Sequence, residues 1–543
     1  MNNFNGDLAI TLSLTMAGQT HAIPPGNVKT LALELFTYGF MGKISFVVSS
    51  ELATDTLFSP MTQSDLITVT LQVGTYSQVT EDGDSPLKLT GLVRARGFTE
   101  QTLSNILKTQ ATMLYRHYHL EFADPAQVLW QQHFPCDLLT NTTLQALITA
   151  HTPSQITMTY DWDVLQTQYP VLSLPLGAPG NQASFYDFIL WLVDSRNGAF
   201  TYDTATNTYT LSASKSQDGT ASSLDPLEVG EFGVEYQAVC RYQPKVLNAY
   251  SESPQTTPIT NAQMASPIRR DFIARYPIAA DMQARVTLET ARMKQHMHEV
   301  WVDFQAFQGH VTPPGQLVDF KSSSAWNASI FVQPNTYRVK EWHLRAQAAE
   351  QDDSLDMNNA FGSYDMSLRL QLECKEELCL ALPKYVEPLY PFYVEGKIVS
   401  EKGGDTDATY QFYTDDNTSI NYYQIKIPMW DNKLVRAAYQ PNMDAGQFYF
   451  PPYKNARVLI GLGLDNALIS GFLDWGVGTA LPLDSQGNQL VMGTSPSSQN
   501  IIKHTYEDSK PKLQIQRTLD NDTELLQFSD GYIILQTQQT EGE

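Results

Sequence analysis

The chain has 543 residues, of which 42% are hydrophobic and 17% charged, and a formal net charge of −23. That length exceeds one ordinary core and implies about three or four domains, with the hydrophobic content of a folded rather than a disordered chain. The negative charge argues against a nucleic-acid partner and against docking onto anionic lipid, since both need a basic surface.

Tyr (27) and Phe (24) are frequent and lean the chain toward strands. Residues 1–95 read as β: "DLAITLSL" alternates, "VKTLALELFTYGFMGKISFVVSS" gives two runs broken at Gly39 and Gly42, and "LITVTLQV" and "LKLTGLVRARGF" follow across the turn-forming "TEDGDSP". From 112 to 235 the pattern is mixed. "MLYRHYHLEFAD" alternates as a strand, "DPAQVLWQQHFP" predicts one or two helical turns opened by Pro125, and "TTLQALITAH" predicts a short helix. The clearest helix is "SFYDFILWLVDSRNG". Ser184 and Asp187 form a variant capping box, Phe185, Phe188, Ile189 and Leu192 line one face, and Gly198 is expected to close it.

Further strands follow to residue 375, with a helix across "IAADMQARVTLETARMKQHM" and strands at "GHVTPPGQLVDF", "NTYRVKEWHLRA" and "SYDMSLRLQLEC". Between 390 and 480 the runs "FYVEGKIVSE", "TYQFYTDD", "YYQIKIPMW", "RVLIGLGL" and "LISGFLDW" are dense enough for a small Greek-key barrel such as the OB-fold. The remainder, 481–543, carries short alternating strands rich in Thr and Gln, with no helix. Such segments cannot build their own core and are expected to find partners on other chains.

The motifs of chemistry are sparse. Cys136, Cys240, Cys374 and Cys379 are too few and too scattered for a disulfide framework. Four residues separate Cys374 from Cys379, but no second pair or nearby histidine completes a zinc site in the sequence. His296 and His298 in "HMHE" supply at most half a metal site, and His117 and His119 repeat that spacing; both pairs are read as surface positions. No G-x-S-x-G, P-loop, H-E-x-x-H or Gly-rich phosphate loop is present. Asp415 and Asp416 could serve as a glycosidase pair, and "DTDATYQFYTDDNTS" could offer carboxylates to calcium. With 58 acidic residues, chance proximity explains the first, and the second lacks the order of an EF-hand loop. No catalytic, cofactor-binding or metal residue is assigned, and no enzymatic activity is expected. The start, "MNNFNGDLAI", has no basic region and apolar core of a signal peptide, and the apolar stretches are too short to span a bilayer. Synthesis in a reducing cytoplasm is expected, with any export by another route.

Several landmarks occur in one order. "EGKIVSE" precedes "YYQIKIPMWDNKLVRAAYQPNMDAGQFYFPPYKNARVLIGLGLDNALISGFLDW". Within this span a strand enters Gln424 to Pro428, a Gly-to-Pro step runs from Gly446 to Pro451, a strand spans Val458 to Leu462, and a return runs from Ile469 to Phe472. This region resembles the OB-fold core of the VgrG family, the hub and spike proteins of contractile injection systems and phage-tail-like particles. Upstream, "LTGLVRARGF", "RHYHLEFADPAQVLWQQHFPCDLLTNTTLQALI" and "SFYDFILWLVDSRNGAFTYD" resemble the first hub domain of that family. The helix after residue 278, the Pro314-Gly315 step and "NTYRVKEWHLRA" resemble the second hub barrel. The chain departs from the family in two places: Trp475 leaves no room for a lysozyme domain, and Asp465-Asn466 stands where Gly-Asp is usual.

The resemblance implies a mainly β protein with a few helices: a first hub barrel with a helical insertion at 1–235, a second hub barrel at 236–375, an OB-fold domain at 376–480 and short C-terminal spike strands at 481–543. It further implies a homotrimer whose C-terminal strands intertwine as a β-prism, filled along the axis by Leu513, Ile515, Leu525, Phe528, Ile533 and Leu535. The implied partners are an inner tube protein at the hub, baseplate proteins at its sides and a PAAR-type protein at the tip, with release from the cell as part of an assembled particle. The alternative reading is a monomeric carbohydrate-binding or carbohydrate-degrading β-protein. An OB-fold binding single-stranded nucleic acid is disfavoured by the charge.

Overall fold

Period-two burial begins with the first strand. Leu8, Ile10, Leu12, Leu14 and Met16 are buried, while Thr11, Ser13 and Thr15 between them are not. The structure, a computed structural model, describes residues 3–50, 55–75, 78, 86–103, 113–321, 326–350, 352, 356–401, 413–416, 420–438, 454–473, 488–495 and 497–539. The chain is mainly β, as expected. It divides into two compact units: Met1–Phe134, Thr149–Gln166 and Gln182–Pro388 form one, and Pro135–Ile148, Thr167–Asn181 and Leu389–Glu543 the other.

In the first unit, eight antiparallel strands close a ring. In order around it they are Phe4–Met16, Thr68–Gly74, Leu87–Leu103, Met113–Ala123, Gly39–Ser50, Val28–Phe36, Thr336–Ala348 and Gly362–Cys374, which pairs back to the first. Closure leaves the sheet no free edge. Six of these strands come from the interval 1–235 and two from 236–375.

Those last two strands also serve a second sheet. Residues 341–347 pair with Val28–Phe36, whereas residues 336–338 pair with Leu317–Asp319. Likewise residues 362–366 pair with Phe4–Met16, and residues 369–373 with His298–Phe304, beyond which lies Val229–Tyr236. The register shifts between Val339 and Glu341, where Thr336–Ala348 passes from one sheet to the other. A bulge bends and twists a strand in this way. The expected strand "GHVTPPGQLVDF" is reduced to Leu317–Asp319. Pro313 and Pro314 have no N–H for a ladder, and Gly315 takes φ 94°.

The predicted helices form at Pro125–Leu129, Leu144–Ala150, Phe185–Arg196 and Ala279–Arg292. Asp124 caps the first by accepting from the Gln127 N–H. In the third, Ser184 and Asp187 make the capping box, but Asn197, with φ 60°, takes the left-handed position expected of Gly198. The fourth lays Met282 and Val286 against Val246 and Phe272 of a small sheet and against Ile259 just beyond it.

In the second unit five strands close another ring: Phe392–Val399, Asn421–Ile427, Lys433–Ala438, Ala467–Phe472 and Arg457–Leu462, which pairs back to the first. The third and fourth of these are parallel and every other pairing is antiparallel. A two-stranded ribbon, Cys136–Thr143 with Gln168–Pro175, adds Leu138 and Val171 to the core of this barrel. Ser173 fastens it, donating its N–H to the Leu464 carbonyl (2.9 Å) and its hydroxyl to that of Gly463 (2.5 Å). The Gly446 to Pro451 step, Trp475 and the first half of "TYQFYTDD" lie outside the described residues. Among the described residues, no helix is long and apolar enough to cross a membrane.

Candidate functional site

The C-terminal strands form a five-stranded antiparallel meander: Asn488–Ser495, Ser498–Glu507, Lys510–Leu519, Asp522–Ser529 and Tyr532–Gln538. Two-residue loops join the last four, and Asp508 (φ 49°), Ser509 (φ 64°) and Gly531 (φ 85°) supply the left-handed residues such turns need. Residues directly opposite one another in a ladder share a face. Ile502 stands opposite Ile515, Ile515 opposite Leu526, and Leu526 opposite Leu535. Leu513 stands opposite Phe528, and Phe528 opposite Ile533. Two transverse apolar rows therefore cross one face.

Five of the six residues expected along an axis lie in these rows. Leu525 does not: it stands opposite Gln516 and Gln536, on the Gln-rich face, and Leu526 takes its place. The rows are open within the single chain, with Ile515 42%, Ile533 63% and Leu535 81% exposed. An apolar face left open to water in this way marks an interaction surface. The other face carries Gln514, whose amide donates to Gln527 (2.8 Å).

A second group of chemistry-bearing residues gathers where the His298–Phe304 and Gly362–Cys374 ladder ends. That ladder pairs Glu299 with Glu373. One step further brings His298 to Cys374, whose sulfur lies 3.5 Å from His298 Nε2 and 3.6 Å from Nδ1. Beyond it, one ligating atom each from His296, Glu377 and Cys379 lies within 4.8 Å of the others. Glu377 is buried, and its carboxylate accepts from the Met297 N–H and the Cys379 N–H, both at 2.7 Å. Burial raises its pKa, but those two N–H groups outweigh it and hold it below the usual range. Burial, then the hydrogen bond to Glu377 and its charge, push the Cys379 thiol up to about 12. Sequence spacing offers no third partner for His296 and no histidine for Cys374 or Cys379; strand pairing supplies both.

The remaining candidates stay apart. His119 is exposed and its ring lies over Gly97, and His117 is paired with Val47 and Thr99. Among the described residues no group of three potential ligands forms around either. Cys136 is exposed and Cys240 half-buried, both as free thiols. Asp415 and Asp416 follow the short strand Tyr413–Thr414, and most of the proposed calcium loop lies outside the described residues.

No family model and no curated protein sequence matches the chain. Solved structures do. A chain of the half-lidded Francisella PdpA–VgrG complex superposes with a TM-score of 0.72 at 13% identity, covering 99% of this chain and 89% of that one. The lidless PdpA–VgrG complex gives 0.70 at 12% identity, with 99% of each chain covered. The lidded Francisella complex gives 0.69 at 13%, covering 99% of this chain and 80% of that one. From end to end, this chain shares the fold of the matched chains in those PdpA–VgrG complexes.

Proposed function

We propose that the chain is the central hub and spike protein of a contractile injection apparatus, acting mechanically rather than as an enzyme. The observation that carries this is the open apolar face of the C-terminal meander, on a chain whose fold matches PdpA–VgrG complexes over 99% of its length. Three copies would bring their Ile515, Leu526, Phe528, Ile533 and Leu535 rows together as a trimeric prism. Each fully covered side chain of this size contributes about 1.5–3 kcal/mol, so covering these rows favours association of the three sheets.

The rest of the fold suits this role. The two β-sheets that share Thr336–Ala348 and Gly362–Cys374 give each chain two sheet systems; in a trimer they present six surfaces, which matches a six-fold inner tube. We read the five-stranded ring as an OB-fold neck, because, counted in chain order, its first strand pairs with the second and fourth and its third runs parallel to the fifth. On this reading the inner tube protein meets the hub, baseplate proteins meet its sides, and a PAAR-type protein caps the short tip. The solved neighbours are complexes of two different proteins, and a second protein partner of that kind fits the same scheme. The chain would be made in the cytoplasm and leave it within the assembled particle.

Light scattering on the purified chain tests this. A mass of three chains that falls when residues 488–543 are deleted is the expected result. A monomer indifferent to the deletion would overturn the proposal.

A further inference from the structure

We propose that His296, Glu377 and Cys379 form a zinc site. Three observations on the fold lead to it. The ligating atoms already lie within 4.8 Å of one another, and His296 Nδ1 is 3.9 Å from Glu377 Oε2, so closing onto one ion needs shifts of an ångström or less. The carboxylate is pre-oriented: each of its oxygens accepts one backbone N–H, from Met297 and from Cys379, and the lone pair that takes the Cys379 S–H is freed when that thiol loses its proton to the ion. Outer contacts of this kind commonly fix a metal-binding carboxylate. His296 and Cys379 also border a cavity of about 230 Å³, which leaves room for a fourth ligand.

The donor set selects the metal. One imidazole nitrogen, one carboxylate oxygen and one thiolate sulfur match the mixed N, O and S coordination of zinc, and the soft thiolate disfavours magnesium or calcium. Binding replaces the Cys379 Sγ–H proton, which leaves to solvent as the Zn–S bond forms. Arg270, Arg292 and Lys294 line the same cavity together with Asp194 and Glu289, and water can supply the fourth ligand there. The ion would tie the segment after helix Ala279–Arg292 to the segment after strand Gly362–Cys374. That clips the end of a ladder that otherwise stops at Glu299 and Glu373.

Cobalt(II), titrated into the full-length chain with all thiols reduced, is the probe. The expected result is one cobalt per chain, an intense thiolate-to-cobalt absorption in the near ultraviolet, and its removal by one equivalent of zinc. The band is lost in Cys379→Ser and kept in Cys136→Ser and Cys374→Ser. Cobalt affinity falls at least tenfold in His296→Ala, whose side chain is 44% exposed and whose loss spares the core. Should Cys379→Ser fail to fold by circular dichroism, His296→Ala decides. An absent band, a band that follows Cys374 or Cys136, or unchanged affinity in His296→Ala overturns the assignment.

Discussion

Ile515 stands opposite Leu526 across the last ladders of the chain, while the adjacent Leu525 stands opposite Gln516. One residue of register therefore separates the apolar face from the Gln-rich face. If the apolar rows join chains, Leu526→Asp places three charges at the contact and should shift the protein to monomers. Leu525→Asp should leave the assembly intact at the same concentration. Light scattering on both variants makes the comparison, and equal effects would remove the face assignment.

Asp124 is fully buried and anchors two segments of the first unit. Its carboxylate accepts from the Tyr209 hydroxyl (2.5 Å), the Phe40 N–H (3.0 Å) and the Gln127 N–H and side-chain amide (3.1 and 2.6 Å). Asp124→Ala strands four donors together and should cost about 3 kcal/mol or more. Tyr209→Phe removes one hydroxyl, which donates to Asp124 and accepts from the Ala126 N–H, and should cost less, about 1.5–3 kcal/mol. Urea unfolding of the two variants, read by tyrosine and tryptophan fluorescence, should keep that order.

Asp303 and Arg369 form a two-pronged ion pair at 2.5 and 2.8 Å, with the Asp303 side chain almost wholly covered. Burial raises the Asp303 carboxyl, but the Arg369 bonds and charge outweigh it, so its pKa lies below the usual value in the folded chain. A carboxylate depressed in this way stabilises the fold above its unfolded pKa of about 3.9 and loses that contribution as pH falls through the folded value. The stability gap between the parent chain and Arg369→Gln should therefore be widest near neutral pH and narrow on acidification below about pH 4. A gap that stays constant from pH 7 to pH 3 would show that the pair contributes only through packing against Trp301, over which Arg369 lies at 5.0 Å.

Local pattern made much of this fold legible. Alternation marks the strands from Leu8 to Met16, and the Ser184–Asp187 box marks a helix start, because both signals lie within a few residues. What escaped the sequence is set by pairing over long distances. His296 meets Glu377 and Cys379 only because Glu299 pairs with Glu373, a register that no local spacing encodes. Likewise Leu138 and Val171 lie in the interval read as the first hub domain, yet they pack in the core of the five-stranded barrel. Leu525 and Leu526 are adjacent and equally apolar, so only the ladder tells which one faces the open side.

The end of helix Phe185–Arg196 separates two roles that a sequence reading merges into one glycine. Asn197 holds the left-handed φ of 60°, and its N–H reaches back to the Asp194 and Val193 carbonyls. Asn197→Gly should therefore be neutral within a few tenths of a kcal/mol, whereas Asn197→Val, forced into the same region, should cost about 1–2 kcal/mol. Gly198 has no such φ; it is needed for space, since a Cβ there would come within 2.4 Å of the Trp162 ring. Gly198→Ala should cost about 1–3 kcal/mol by overpacking. The two costs have different origins, which a second substitution separates: Trp162→Leu should relieve much of the Gly198→Ala defect and leave the Asn197→Val defect unchanged. Thermal unfolding of these single variants and of the two pairs with Trp162→Leu measures this, and a rescue of both defects, or of neither, would refute the division.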